Sequence, residues 1–151
     1  MGAVFFYHLT RSPVEAALPM LLERAMAAGW RVAVRAREGA RLEWLDAKLW
    51  LGAEDGFLAH GIAGGAHDAA QPVLLTLGAV PQGVACLMAV DGAGISAEEC
   101  QAAERSCVLF DGNDPDAVEV ARGQWKALTG AGVSAQYWSE DGGRWAKKAE
   151  T

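Results

Sequence analysis

Positive charge is in short supply in this chain. Its 151 residues include 13 Lys and Arg against 19 Asp and Glu, a formal net charge of −6. Broad binding to a phosphate backbone needs clustered cations, so direct nucleic-acid recognition is disfavoured. Cysteine is sparse too. Cys86, Cys100 and Cys107 form no C-x-x-C pair, and Cys86 sits in a strongly apolar run. A buried, inert thiol is the usual outcome there, and three reduced structural cysteines fit a cytosolic protein. Long apolar runs are missing: none approaches the ~18 residues of a membrane span. Met1 to Leu9 lacks the basic start of a signal peptide, so none is predicted.

Glycine is missing where nucleotide chemistry would need it. The turn after the first apolar run is His8-Leu9-Thr10-Arg11-Ser12, with no residue that lets backbone approach a pyrophosphate. Gly92-Ala93-Gly94 lacks a third glycine, and no G-x-x-x-x-G-K-[ST] exists. The three histidines, His8, His60 and His67, have no His or Cys partner at i+3 or i+4, which argues against zinc. They read as solvated or singly hydrogen-bonded imidazoles. No serine lies in a G-x-S-x-G elbow. Glu98, Glu99 and Glu104 read as a solvated helix face. Asp91 and Asp111 fall at strand ends, without an identifiable base. Neither a cofactor nor a metal is expected. A small α/β nucleotide-dependent transferase is the alternative that the missing phosphate loop weakens.

What is present is an alternation of strand and helix. Val4 to Tyr7 predicts a first strand. Ser12-Pro13-Val14-Glu15 predicts a capping box with proline at the first helical position. Val14, Ala17, Leu18, Leu21, Leu22, Ala25 and Met26 follow at helical spacing to Gly29, with Pro19 expected to kink or restart the helix. Arg31 to Arg35 alternates as a strand. Gly39 to about Trp50 is a helix, and residues 52 to 71 a long loop. Pro72 to Leu77 and Val84 to Val90 are apolar strands of the kind covered on both faces. Ser96 caps a helix to about Arg105, Cys107 to Phe110 is a strand, and Asp114-Pro115 opens the last helix, to about Thr129. Ser134 to Trp138 closes the pattern. Residues 139–151 read as a polar, loosely held C-terminal tail, apart from Trp145. The whole, residues 1–151, is one α/β domain with a mostly parallel central sheet and helices on both faces.

Two aromatic constellations remain. On the last helix Val118, Ala121, Trp125 and Leu128 share one face, with Arg122 and Lys126 beside it. An indole wall with one guanidinium and one ammonium can hold an aromatic side chain and a carboxylate together. The same spacing also suits a half-buried Trp with two solvated charges. Trp50 and Phe57 bracket a Gly- and Ala-containing stretch. They either close over the core or form an exposed patch for a partner chain.

These motifs, in this order, resemble the chi subunit of bacterial DNA polymerase III. The resemblance runs through Val4-Phe5-Phe6-Tyr7, Ala28-Gly29-Trp30-Arg31-Val32, Leu45-Asp46-x-x-Leu49-Trp50, Phe57-Leu58-x-His60, Ala63-Gly64, Pro72-Val73, Ala121-Arg122-x-x-Trp125-Lys126 and Ala131-Gly132. Tyr137-Trp138 and Gly143-Arg144-Trp145 resemble a subset of the family. The resemblance implies a three-layer, Rossmann-like fold without a nucleotide site. It also implies a non-catalytic, cytoplasmic, replisome-associated role that touches DNA mainly indirectly. The implied partners are the clamp loader, through the psi subunit, and the acidic C-terminal tail of single-stranded DNA-binding protein, which ends in a phenylalanine carboxylate. The tail site carries over onto Arg122, Trp125 and Lys126. Val118 stands where the family often has another basic residue, with Arg105 and Lys147 as candidates to compensate. The psi-facing surface carries over onto Trp50, Phe57 and His60, with Ala59 in place of a usual proline.

Overall fold

A computed structural model describes residues 2–51, 60–62, 72–78, 80, 83–141 and 144–151. In order along the chain come β1 (Ala3–Leu9), α1 (Val14–Ala27), β2 (Val32–Arg35), α2 (Gly39–Leu51), β3 (His60–Ile62), β4 (Val73–Thr76), β5 (Cys86–Ala89), α3 (Ala97–Ala102), β6 (Arg105–Asp111), α4 (Pro115–Gly130), β7 (Ser134–Asp141) and β8 (Arg144–Glu150). The eight strands form one sheet in the order β3-β4-β2-β5-β6-β1-β7-β8. Every pairing is parallel except β7 with β8.

Alternation along the central strands explains the core. In a strand, successive side chains point to opposite faces. Val32 and Val34 of β2 and Cys107 and Leu109 of β6 join one buried cluster with Leu18 and Leu22 of α1 and Leu42, Leu45 and Leu49 of α2. Their neighbours Ala33, Val108 and Phe110 join a second cluster with Cys100 of α3 and Ala121 and Leu128 of α4. All three cysteines are buried and free.

Several local expectations need correcting. The tail is no tail, because residues 139–141 continue β7 and residues 144–150 form β8. The sheet is therefore mixed. Lys147, Lys148 and Glu150 look like solvated chain, but charges on an edge strand serve to keep that edge from pairing further. The stretch read as a 52-to-71 loop contains β3, which pairs with β4 from His60 opposite Val73. Three residues containing a glycine carry too little pattern to announce a strand.

The capping box at Ser12 does not form: helix α1 begins at Val14, and Pro13 at its N-cap makes no side-chain cap bond. Ser12 is engaged elsewhere, as described below. Pro19 sits inside α1 without restarting it. The helix closes at Gly29, whose φ of 82° suits a residue without Cβ. At α3 the predicted box is present, with Ser96 accepting from the Glu99 N–H and Glu99 reaching back. This helix stops at Ala102, short of the expected Arg105, because Arg105 already pairs with Ala3 in the sheet.

Candidate functional site

The last helix starts as its sequence suggests. The Asp114 carboxylate accepts from the Asp116 N–H, and Pro115 occupies the first turn. One face of α4 then seats Ala121 and Leu128 in the core, while Val118 and Trp125 pack on it partly buried. Gln124 anchors the helix to the segment after β5 by donating to the Ala93 carbonyl, at 2.8 Å.

Trp125 meets Phe6 of β1 edge-on at 5.4 Å between ring centroids and Tyr137 of β7 at 5.9 Å. Phe6 and Tyr137 are register partners in β1 and β7 and stack at 6.4 Å. The Tyr137 phenol is hydrogen-bonded to His8 Nδ1, 2.7 Å apart. Burial pushes the Tyr137 phenol up, and the positive field of Arg122 offsets that only in part. The phenol is therefore a neutral group close to Arg122.

Arg122 itself is solvated. Its side chain is 67% exposed, and it reaches Glu119, one turn back, at 3.3 Å. Lys126 is exposed as well. Trp125, Arg122 and Lys126 thus form a half-buried indole edge flanked by two mobile-stemmed cations. The half-buried indole and the two solvent-exposed cations match the plainer view of the spacing, with Arg122 in a surface pair with Glu119.

Sequence reasoning missed Tyr137 and His8 at this site. Tyr137 was visible as a residue of an alternating strand and of the Tyr137-Trp138 resemblance, but its place beside Trp125 depends on the β1–β7 register. Arg105 cannot supply the cation missing at Val118. It lies over Phe5 and Trp30, where Phe5 alternates with Phe6 and so faces the other side of the sheet. Lys147 pairs with Glu150 at 3.2 Å.

Of the partner-facing residues, Trp50 lies in the last turn of α2 and His60 begins β3. Their side chains, and Phe57 altogether, lie outside the described residues, as does His67.

The turn after β1 holds a further feature that spacing did not reveal. The Glu140 Oε1 accepts from three consecutive backbone N–H groups, those of Thr10, Arg11 and Ser12, at 3.1, 3.2 and 3.1 Å. The Ser12 hydroxyl donates to Oε2 at 2.8 Å, and the Thr10 hydroxyl to the Glu140 carbonyl at 3.0 Å. Successive N–H groups of this kind make an anion-holding concavity, and here the chain's own carboxylate fills it. Burial pushes the Glu140 carboxyl up, but these hydrogen bonds outweigh it and hold the group below its ordinary value.

A cleft of about 660 Å3 opens at the carboxyl ends of β1, β5 and β6. Its charges are mixed: Arg11, Arg37 and Arg41 face Asp91, Asp111, Asp114 and Asp116. Asp91, one of the two strand-end acids, is paired with Arg41 at 2.5 Å. Among the three glutamates read as a solvated face, Glu99 departs from that picture, being gripped by Arg35. Among the described residues no group of three metal-ligating side chains comes together, and no helix is long and apolar enough to cross a membrane.

The family model described as DNA polymerase III chi subunit, HolC, matches residues 1–136. A search of curated proteins gave no match. The chain belongs to the chi family.

Proposed function

As a member of the DNA polymerase III chi family, this chain is, we propose, a non-catalytic adaptor of the replication machinery in the cytoplasm. It joins the clamp loader, through a psi subunit, to the acidic C-terminal tail of single-stranded DNA-binding protein. The observation that carries this reading is the indole edge of Trp125 set between the exposed Arg122 and Lys126. An aromatic ring of the tail stacks on Trp125, and its terminal carboxylate meets the two cations. Tyr137, neutral and next to Arg122, adds a polar neighbour to the carboxylate's side.

The self-filled cradle at Thr10 to Ser12 supports a binding role over a nucleotide-dependent one, because the N–H groups that would meet a phosphate already hold Glu140. The psi-facing surface is assigned to Trp50, Phe57 and His60, around the end of α2 and the start of β3.

Titration with an acidic peptide ending in a free phenylalanine tests the tail site. Affinity is expected in the micromolar range and falls with salt. Amidating the terminal carboxylate weakens binding strongly; equal binding of both peptides would remove Arg122 and Lys126 from the site. Phe57→Ala is expected to leave Tm nearly unchanged while abolishing capture of psi or, without psi, self-association in light scattering. A loss of ~3–5 kcal/mol instead would mark Phe57 as core.

A further inference from the structure

The face of the sheet opposite Trp125 carries a second aromatic cluster, beside a cavity of about 250 Å3 between α1 and the β7–β8 hairpin. Phe5 and Tyr7 line it from β1, Trp30 from the turn after α1, and Trp138 and Trp145 from the hairpin. Trp145 meets Tyr7 edge-on at 5.4 Å. A register irregularity between Tyr137 and Trp138 separates the two sites along β7: Tyr137 packs toward Trp125, and Trp138 lines this cavity.

Two guanidiniums reach the same space, Arg24 from α1 and Arg105 from the start of β6. Arg105 lies 4.2 Å from the centre of the Phe5 ring and 5.3 Å from that of Trp30. No Asp or Glu lines the cavity. Among the described residues neither arginine has an ion-pair partner. Burial pushes the Tyr7 phenol well above its ordinary value, despite the opposing fields of Arg105 and Arg24, so it stays a neutral hydrogen-bond donor. The pocket thus offers an aromatic wall and two guanidiniums, one stacked on rings and one facing solvent, with no carboxylate among its lining residues to meet either.

We propose that this pocket binds an aromatic carboxylate, with the ring among Phe5, Trp30 and Trp145 and the carboxylate between Arg24 and Arg105. The ring gains the edge-on and stacked contacts that aromatic pairs prefer, and the guanidiniums supply charge-assisted hydrogen bonds. The cavity is below the usual ~300–1,000 Å3 of ligand pockets, so it has room for one ring and not for a run of bases. Two cations on a chain of net charge −6 also suit a single carboxylate better than a polyanion. Trp138 and Trp145 lie beyond residue 136, where the family match ends. The site is therefore built in part by the hairpin, and it stands apart from the proposed tail site on α4.

The test is titration of the full chain with phenylacetate and with N-acetyl-Ala-Ala-Phe, followed by calorimetry and by the indole N–H signals in NMR. These present the same ring and carboxylate as a free acid and as a chain end, and the tighter one names the source. Signals of Trp30, Trp138 and Trp145 are expected to shift. Arg24→Gln, on the exposed side of α1, should weaken binding about fivefold, and Arg24→Gln with Arg105→Gln at least tenfold. Trp145→Phe, a conservative change that keeps a ring, should retain most of the affinity. Arg122→Ala should leave this site unchanged while weakening the long acidic peptide on α4, so the two sites fail independently. No shift at these indoles with either probe, equal binding of the peptide amide, indifference to both arginine changes, or tighter binding of thymidine monophosphate would each overturn the proposal.

Discussion

Two arginine–glutamate pairs in this molecule do opposite things. Arg35, at the end of β2, is 12% exposed in its side chain, and its partner Glu99 is 31% exposed. All five of its N–H groups are used. Nε and Nη2 donate to the Gly78 carbonyl, Nη1 to the Gly94 carbonyl, and Nη1 and Nη2 to the two Glu99 oxygens at 2.9 and 2.5 Å. One side chain thereby ties the segment after β4, the segment before α3 and the α3 cap to β2. Arg122 and Glu119 on α4 are the same chemical pair at 67% and 74% exposure, in contact at 3.3 Å. A surface pair of that kind contributes ~0–1 kcal/mol. The comparison teaches that geometry and solvent, not residue type, decide whether a guanidinium holds the fold or waits for a partner.

The sharpest way to break this contrast is to remove Arg35. Arg35→Ala leaves the Glu99 carboxylate with only its Ser96 partner and takes the donor from the Gly78 and Gly94 carbonyls, and should cost roughly 3 kcal/mol in urea unfolding. A cost below ~1 kcal/mol would put Arg35 in the same class as Arg122.

Acid should act on the Arg35–Glu99 pair. The hydrogen-bonded guanidinium of Arg35, aided by the Ser96 cap, holds the Glu99 carboxyl at about 2, against an ordinary value of 4.5. A carboxylate lowered on folding contributes stability that is fully present above its unfolded value. That stability is lost as pH falls from about 4.5 to about 2, and amounts to roughly 2–3 kcal/mol. Unfolding free energies measured across this range should show the slope in the wild type and a shallower one in Glu99→Gln.

Glu140 lies between the two extremes, held by four donors but near the surface. Glu140→Ala should cost about 1–3 kcal/mol and speed amide exchange in β7 and β8, since the hairpin loses its tie to the β1–α1 turn. Unchanged exchange there would show that strand pairing alone holds the hairpin.

Arg122→Ala should change stability by less than ~0.5 kcal/mol, while weakening the acidic peptide about tenfold in fluorescence titration. Smallest of all, Val118→Lys should restore one cation beside Trp125 and raise peptide affinity a fewfold with no change in Tm. If peptide binding ignores both changes, the exposed pair is inert as well as unstructured.

Periodicity and punctuation alone made most of this fold readable. The apolar runs of β4 and β5, the helical spacing in α1 and α4, the cap at Ser96 and the stop at Gly29 are local signals, and each was written within a few residues. The residues of the proposed tail site are likewise local to one another, because Arg122, Trp125 and Lys126 lie within two turns of one helix. The strand at His60 was too short to be readable, and the hairpin to Glu150 was not readable because β8 is an edge strand rich in charge. Ser12 shows the deeper limit. Its sequence context is a good capping box, yet its hydroxyl goes to Glu140, 128 residues away. Tyr137 reaches His8 across 129 residues, and the aromatic pocket draws rings from both ends of the chain. Local pattern fixes which face of an element is apolar. Which distant polar group satisfies a given donor is settled only when strand order and register bring the two together.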